Sequence, residues 1–172
     1  EADGEVARAA GGDGRFTVSE APPDRAFVLR RYQPRDEDDA IALWLRTWQA
    51  AYPLLNFAER LDWWRERWRH QLVPTAEIVV ADATGEMIGF VTVDPRTLYL
   101  DQIVVAPGRW ASGVGADLLD EAKRLSPSGL DLDVNTDNAR AIAFYGKHGF
   151  SISGSGVNPI SHKPIHRMSW RP

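Results

Sequence analysis

The sequence predicts an α/β (α+β) domain in which a mixed β-sheet carries helices on both faces. Two features of the chain support this. Apolar residues at helical spacing alternate with short runs rich in Val and Ile, in the order β-α-α-β-β-β-α-β-α-β-β. Two central strands flank a short Gly-containing turn, whereas a later helix separates two other strands. The hairpin makes part of the sheet antiparallel, and the crossover makes part of it parallel.

Length and composition fit one domain. The chain has 172 residues, of which 44% are hydrophobic and 26% are charged, an ordinary balance for a globular protein. We expect residues 1–25, rich in Ala, Gly, Asp and Pro, to form a flexible tail and residues 26–172 to form the domain. The absence of Cys excludes disulfides, thiolate metal sites and a Cys nucleophile, and we expect no metal ion.

Charge and hydropathy limit the classes of partner. The formal net charge of -4 argues against a nucleic-acid-binding protein, because such domains are usually basic. No apolar stretch approaches the roughly 20 residues that span a membrane, and the chain begins without an apolar signal core. We therefore expect a cytoplasmic protein with neither nucleic acid nor membrane as a partner.

Each element follows from local patterns. Asp36, Asn56 and Asn138 are predicted helix caps, and Gly149 stands where a left-handed helix end is expected. The predicted helices are 36–52, 56–73, 114–125 and 138–148. The predicted strands are 27–32, 77–81, 87–93, 98–105, 130–134 and one or two strands between 150 and 170.

A small-residue loop joins strand 98–105 to helix 114–125. Gly113 and Gly115 lack a Cβ, so the main chain there can come close to a ligand. The first turn of a helix has unpaired N–H groups and a partial positive charge, and it therefore binds phosphate well. The loop has neither the Gly-Lys-Ser/Thr of a Walker loop nor the third Gly of a dinucleotide fingerprint. By itself it indicates an anion-binding turn or only a tight connection.

A second pattern lies between residues 135 and 150. Taken alone, it indicates a helix cap, a core aromatic residue and a C-terminal Gly. Tyr145 follows Asn138 by seven residues, about two helical turns, so both side chains can point to one side.

Together the two stretches resemble the GNAT (Gcn5-related N-acetyltransferase) family over roughly residues 26–170. The family has Val-x-Pro followed by Gln/Arg-x-x-Gly-x-Gly/Ala, and here Trp110 takes the Gln/Arg position. The residues that match this first pattern are Val105, Pro107, Gly113 and Gly115. The family's Asn-x-x-Ala-x-x-Phe-Tyr-x-Lys-x-Gly-Phe is present at every fixed position from Asn138 to Phe150.

The resemblance implies a GNAT-like, mostly antiparallel twisted sheet and an acyltransferase that uses acetyl-CoA. The implied reaction moves the acetyl group to a primary amine of a small molecule or peptide, by direct attack in a ternary complex. Two alternatives remain open: a non-catalytic CoA-binding or acyl-CoA-binding regulatory module, and a transferase for a different acyl group. Because many relatives dimerise, a homodimer is also expected.

The resemblance also implies roles for individual residues. Asn138 holds the pantetheine arm, and the Tyr145 hydroxyl faces the CoA sulfur as the candidate general acid. By position, the Ile103 backbone N–H is the oxyanion donor, and Val105 contacts pantetheine. Main-chain groups of the loop bind the CoA pyrophosphate, and the loop residues are Trp110, Ala111, Ser112, Gly113, Val114 and Gly115.

The general base is a separate question. Asp101 is the candidate, directly or through water, and we expect it on the same side of its strand as Ile103; it could equally be a hydrogen-bonded structural residue. Weaker candidates for a polar role are Tyr99, Gln102, His162 and His166.

The aromatic residues of the first predicted helix suggest an acceptor site. They recur at four-residue spacing and are Trp44, Trp48 and Tyr52. Core packing is the simplest interpretation of such a stripe. In the family, however, the first two helices wall the acceptor pocket, where aromatic faces can hold a cationic amine.

Overall fold

The computed structural model describes residues 9–10, 26–159 and 161–172. The predicted flexible tail lies outside the described residues, apart from a two-residue strand. The strands are β1 (Ala9–Ala10), β2 (Val28–Arg31), β3 (Glu77–Ala83), β4 (Glu86–Asp94), β5 (Tyr99–Val105), β6 (Leu130–Asn135), β7 (Ser151–Val157) and β8 (Pro164–Trp170). The α-helices are α1 (Glu37–Ala51), α2 (Leu61–Arg67), α3 (Val114–Leu125) and α4 (Ala139–Lys147).

The strands form one mixed sheet. Its order is β2-β3-β4-β5-β6-β8-β7, and β1 lies beside β5. The pairs β1–β5 and β5–β6 are parallel, and the other pairs are antiparallel. The predicted mixed, mostly antiparallel sheet is therefore confirmed.

A gap opens in the middle of this sheet, between β5 and β6. These strands pair at a single position, Tyr99 with Asp131. Beyond that pair β6 no longer accompanies β5, and the backbone of β1 lies opposite Ile103 and Val104 instead. The sheet thus divides into two halves, and main-chain polar groups of β5 face the gap between them.

Helices cover both faces of the first half. A methyl group on Gly89 would lie 3.0 Å from Leu118 of α3. The next residue, Phe90, instead packs its ring 5.2 Å from that of Trp68, in the π-helical turn Trp68–Leu72 after α2. Since successive residues of a strand point to opposite faces, α3 covers one face and α2 the other.

The face under α1 and α2 has an aromatic core. Trp44 of α1 stacks on Trp64 of α2 with ring centroids 4.7 Å apart, and Phe57 meets Trp44 edge-on at 5.9 Å. Such pairs contribute about 0.5–1.5 kcal/mol each beyond the burial of their area. The most deeply buried indoles, none more than 1% exposed, are Trp44, Trp48, Trp64 and Trp68.

Two of the three predicted caps form as expected. The Asn138 side chain accepts from the Ala141 N–H at 3.1 Å, and the Asn56 side chain accepts from the Ala58 N–H at 3.2 Å. Asn56 caps a 3₁₀ turn, which leads into α2. Asp36 is the N-cap residue of α1, as predicted, but its carboxylate pairs with Arg30 and makes no hydrogen bond to a helix N–H. A nearby cation is the stronger partner for a carboxylate.

Candidate active site

Tyr145 is completely buried on α4. Its ring packs between Phe144 and Phe150, with centroids 5.4 Å away on each side. The hydroxyl has no hydrogen-bond partner among the described residues. Burial raises the pKa of this hydroxyl well above its ordinary value, so the proton stays on the oxygen at neutral pH. A buried hydroxyl without a partner costs about 1–3 kcal/mol, and such groups call for a functional explanation.

Asn138 is fixed at the start of the same helix. Its side-chain oxygen is the cap of α4, which sets the direction in which the amide group points. Tyr145 lies on the same helix, about two turns further along. The structure therefore places the two motif residues on one short, well-capped element.

The loop between β5 and α3 presents an uncapped helix start. The N-cap residue Gly113 has φ of +90° and has no side chain with which to cap the first turn of α3. Ala111 also has a left-handed backbone, with φ of +66°. Because the N-cap residue supplies no side-chain acceptor to the first N–H groups of α3, this end of the helix suits an anion.

The main chain of β5 directs polar groups into the gap. The Ala106 N–H bonds to the Ile88 carbonyl, on the β4 side, at 2.8 Å. Backbone groups of successive residues alternate between the two edges of a strand. The N–H and carbonyl groups of Ile103 and Val105 therefore point to the opposite edge, along which the main chain of β1 pairs with Ile103 and Val104.

Asp101 lies at a β-bulge. Thr92 pairs with Gln102 and Val93 pairs with Leu100, so Asp101 has no partner residue on β4. Arg67 of α2 holds the carboxylate with two bonds: Nη1 donates to Oδ1 at 2.9 Å, and Nη2 donates to Oδ2. The Gln102 amide nitrogen adds a bond to Oδ1 at 3.1 Å. Asp101 therefore faces α2.

The prediction that Asp101 and Ile103 share one side of the strand is wrong. Ile103 pairs with Val91, two residues after Gly89, so both side chains face α3. The bulge inserts one extra residue and interrupts the alternation between Asp101 and Ile103.

The other polar candidates divide into two groups. The Tyr99 hydroxyl donates to Asp133 at 3.1 Å, and Asp133 also pairs with Arg167 at 3.0 Å, so Tyr99 belongs to a structural network. Gln102 and His166 each keep one buried polar atom without a hydrogen-bond partner among the described residues, Oε1 and Nδ1 respectively. His162 lies in the β7–β8 connection, with φ of +58°.

Asn135 was missed by the sequence analysis. It is 1% exposed, and neither its side-chain oxygen nor its nitrogen has a partner within the described part of the chain. On β6 it continues the alternation of Asp131 and Asp133, so it shares their face of the sheet. That period-two pattern of polar residues was the available signal.

The interpretation of Trp44 and Trp48 as walls of an acceptor pocket is wrong in this structure. Both rings are buried in the aromatic core and offer no face to a ligand. The reason is that residues from outside α1, including Phe57 and Trp64, cover them. Tyr52, half-buried and stacked on Trp48 at 5.8 Å, keeps an accessible surface.

A cavity of about 610 Å³ lies elsewhere, between α1 and the 3₁₀ turn Pro107–Arg109. Arg46 and Met87 are in its wall, but none of the residues predicted to bind the cofactor lines it. The gap between β5 and β6 is therefore the better candidate for the reaction site.

Comparison with known proteins decides the family. Residues 38–150, well over half of the chain, match the model of the acetyltransferase (GNAT) family. The chain belongs to this family. As a GNAT acetyltransferase it transfers an acetyl group from acetyl-CoA to an amine acceptor.

Individual relatives agree with this assignment. The peptidyl-lysine N-acetyltransferase YjaB of Salmonella typhimurium is 30% identical over 127 residues, which are 73% of this chain and 84% of that protein. The L-amino acid N-acetyltransferase AaaT of Escherichia coli is 33% identical over 104 residues, 54% of this chain and 63% of that protein. The solution structure of apo YjaB from Escherichia coli superposes with a TM-score of 0.67 at 25% identity, covering 84% of this chain and 97% of that one.

The same fold occurs with coenzyme A bound. The PaiA N-acetyltransferase of Thermoplasma acidophilum, crystallised with coenzyme A, superposes with a TM-score of 0.68 at 18% identity, over 85% of this chain and 99% of that one. Within residues 26–159 and 161–172 of the GNAT acetyltransferase, no cluster of three or more His, Asp or Glu is placed to hold a metal ion. Among the helices described, none is both long and apolar enough to cross a bilayer.

Replacing Gly113 with Ala is expected to weaken acetyl-CoA binding several-fold. A Cβ at Gly113 meets no atom within 4 Å, so the effect comes from the backbone alone, whose φ is +90°. Left-handed backbone costs a non-Gly residue roughly 1–2 kcal/mol, which favours a different loop shape. Calorimetric titration with acetyl-CoA measures the change.

Gly108→Ala is the matched control. Gly108 lies in the same loop and also has open space at its Cβ position, but it lacks a positive φ. Its affinity for acetyl-CoA should stay within about two-fold of wild type, because no strain is introduced. Equal affinities for the two variants would show that the shape of the Gly113 turn is irrelevant to binding.

Proposed function

We propose that the chain acetylates a primary amine of a peptide or amino acid, by direct attack on acetyl-CoA in the gap between β5 and β6. The observation that carries this proposal is the buried, unpartnered hydroxyl of Tyr145. That hydroxyl is a proton donor without an acceptor, on the helix that follows β6. The leaving thiolate of CoA is an acceptor of the right kind.

The chain's own groups fit the cofactor along its length. The uncapped start of α3 and the loop from Trp110 to Gly115 suit a pyrophosphate. Asn138 and the main chain of Val105 suit the amide groups of pantetheine. The Ile103 N–H is the donor for the oxyanion that develops on the thioester carbonyl. Tyr145 protonates the sulfur as it leaves.

We propose that Asp101 acts on the acceptor amine. Arg67 and Gln102 hold the carboxylate in place. Each carboxylate oxygen has two lone pairs, and Oδ2 accepts one bond from Arg67, so a position remains for an amine N–H or a water. Asp101 then attracts the ammonium and takes up its proton, directly or through water. Tyr52 remains the aromatic candidate for the acceptor site.

The acceptor can be tested with a matched pair of lysine derivatives. Nα-acetyl-lysine amide offers only the ε-amine, and Nε-acetyl-lysine offers only the α-amine. We expect acetyl-CoA-dependent thiol release with at least one of them, because relatives include both a peptidyl-lysine and an L-amino acid N-acetyltransferase. Binding of acetyl-CoA without thiol release, across these and a wider amine panel, would instead identify a regulatory module.

Two further proposals concern organisation. Residues 26–172 make up the domain, which agrees with the location of the buried core in that range. A homodimer is proposed with β7 as the contact, since every residue of this edge strand is exposed and Ile152 is 53% exposed. Unpaired edges of this kind are templates for pairing with another chain. Light scattering measures the assembly.

A further inference from the structure

Trp110 bridges the two sides of the gap. Its indole N–H donates to the Val105 carbonyl, at the end of β5, at 2.8 Å. On the other side, the guanidinium of Arg140 in α4 lies over the indole ring, 5.1 Å from its centroid. A half-buried Trp side chain therefore connects the strand before the gap to the helix beyond it.

The Val105 carbonyl is not an arbitrary acceptor. It points to the edge of β5 that faces away from β4, where the proposed function places the pantetheine amides. The Thr47 hydroxyl approaches the same oxygen at 3.4 Å, a longer contact than that of the indole. A carbonyl oxygen accepts two hydrogen bonds at most in good geometry. The indole of Trp110 thus competes with the cofactor for this oxygen.

The loop that carries Trp110 is held in an uncommon backbone conformation. Ala111, the next residue, has φ of +66°, and Ser112 turns back so that its hydroxyl donates to the Arg109 carbonyl. A non-Gly residue in the left-handed region persists where surrounding contacts outweigh the strain. The bonds of Trp110 to Val105 and Arg140 are such contacts, and their loss frees the loop to move.

We propose that Trp110 acts as a latch on the cofactor site: its indole blocks the Val105 carbonyl and must leave it before pantetheine binds there. The proposal rests on the proposed function of Val105 as a pantetheine contact. Only the fraction of molecules with the indole displaced is competent to bind. The apparent dissociation constant is therefore the intrinsic dissociation constant divided by that fraction. Trp110 therefore tunes the affinity for acetyl-CoA and the rate of its association.

Trp110→Phe tests the latch, because it keeps an aromatic ring against Arg140 and removes the indole N–H. We expect acetyl-CoA to bind about two- to ten-fold more tightly and to associate faster, the factor that corresponds to one net hydrogen bond. Stopped-flow association and calorimetric titration provide the two values. In wild type, acetyl-CoA should also change the Trp fluorescence, and this change should be largely absent in Trp110→Phe.

Two comparison variants separate the possible outcomes. Trp63→Phe removes a half-buried Trp of α2 remote from the gap, so it should keep both the wild-type affinity and the fluorescence change. Arg140→Gln removes only the ring contact and should speed association by a smaller factor. Unchanged binding in Trp110→Phe overturns the latch, and weaker binding shows a direct cofactor contact instead. If neither the wild type nor any of the variants binds acetyl-CoA, the proposed function itself fails.

Discussion

Turnover is expected to fall about 10²- to 10⁴-fold when Tyr145 is replaced by Phe, while acetyl-CoA affinity stays within about two-fold. The substitution removes one oxygen from a fully buried ring and leaves the packing against Phe144 and Phe150 intact. Without the hydroxyl the thiolate leaves unprotonated, which affects the chemical step but not the binding of the cofactor. Steady-state thiol release and calorimetric titration measure these two effects.

The same variant should be more stable than wild type. The Tyr145 hydroxyl has no hydrogen-bond partner in the part of the chain that the structure describes, so its removal should raise the free energy of unfolding by about 1 kcal/mol. Tyr32→Phe is the control, since the Tyr32 hydroxyl accepts from the Trp68 indole at 3.1 Å. That variant should lose about 1 kcal/mol and retain full turnover. Undiminished turnover in Tyr145→Phe would remove Tyr145 from the acid role.

The raised pKa of Tyr145 gives this residue a defined pH dependence. Burial favours the protonated, neutral form in the folded state. The stability of the fold is therefore unaffected by this group below the pKa of an unfolded tyrosine, about 10, and declines as the pH rises above it, because the unfolded tyrosine ionises and the buried one does not. Urea unfolding at rising alkaline pH should show a smaller decline in Tyr145→Phe than in wild type.

Substitution of one partner in the ion pair between Arg67 and Asp101 is expected to lower stability more than any other substitution proposed for this protein. Each side chain is only 13% exposed, so removal of one partner leaves a poorly solvated charge. Arg67→Met should lower the free energy of unfolding by about 3 kcal/mol, and Asp101→Asn by a similar amount. The double variant should recover part of the loss, because no unpaired charge remains. Urea unfolding of the wild type, the two single variants and the double variant gives the coupling energy between Arg67 and Asp101.

An exposed pair and an activity measurement complete this test. Arg69, 49% exposed, pairs with Glu37, and Arg69→Met should lower the free energy of unfolding much less than Arg67→Met does, because solvent screens an exposed ion pair.

Asp101→Asn should also lower kcat/KM for the amine while acetyl-CoA affinity is kept. If the folded variant acetylates amines at the wild-type rate, Asp101 has a structural role only.

Local chemistry explains which parts of this fold were predictable from the sequence. The Asn138 cap, the positive φ at Gly149 and the element order depend on residues close in the chain. The bulge at Asp101 depends on how β4 and β5 pair, and sequence periodicity carries no information about that register. For this reason Asp101 was assigned to the wrong face.

The aromatic residues show a similar limit. Spacing along α1 correctly placed Trp44 and Trp48 on one face of a helix. What covers that face comes from Trp64 and Phe57, which lie in other elements, so a buried core and an open pocket gave the same pattern. Asn135 was overlooked because its unpartnered amide is visible only once the neighbouring strands are in place.

The single pairing position between β5 and β6 has a mechanical consequence. Tyr99 and Asp131 are the position at which β5 and β6 pair, so the two halves of the sheet are joined there by few main-chain hydrogen bonds. A small rotation about this position would widen or narrow the gap between β5 and β6 without breaking the main-chain hydrogen bonds within either half of the sheet. A long, thin thioester can therefore be admitted and then gripped at little cost in main-chain hydrogen bonds.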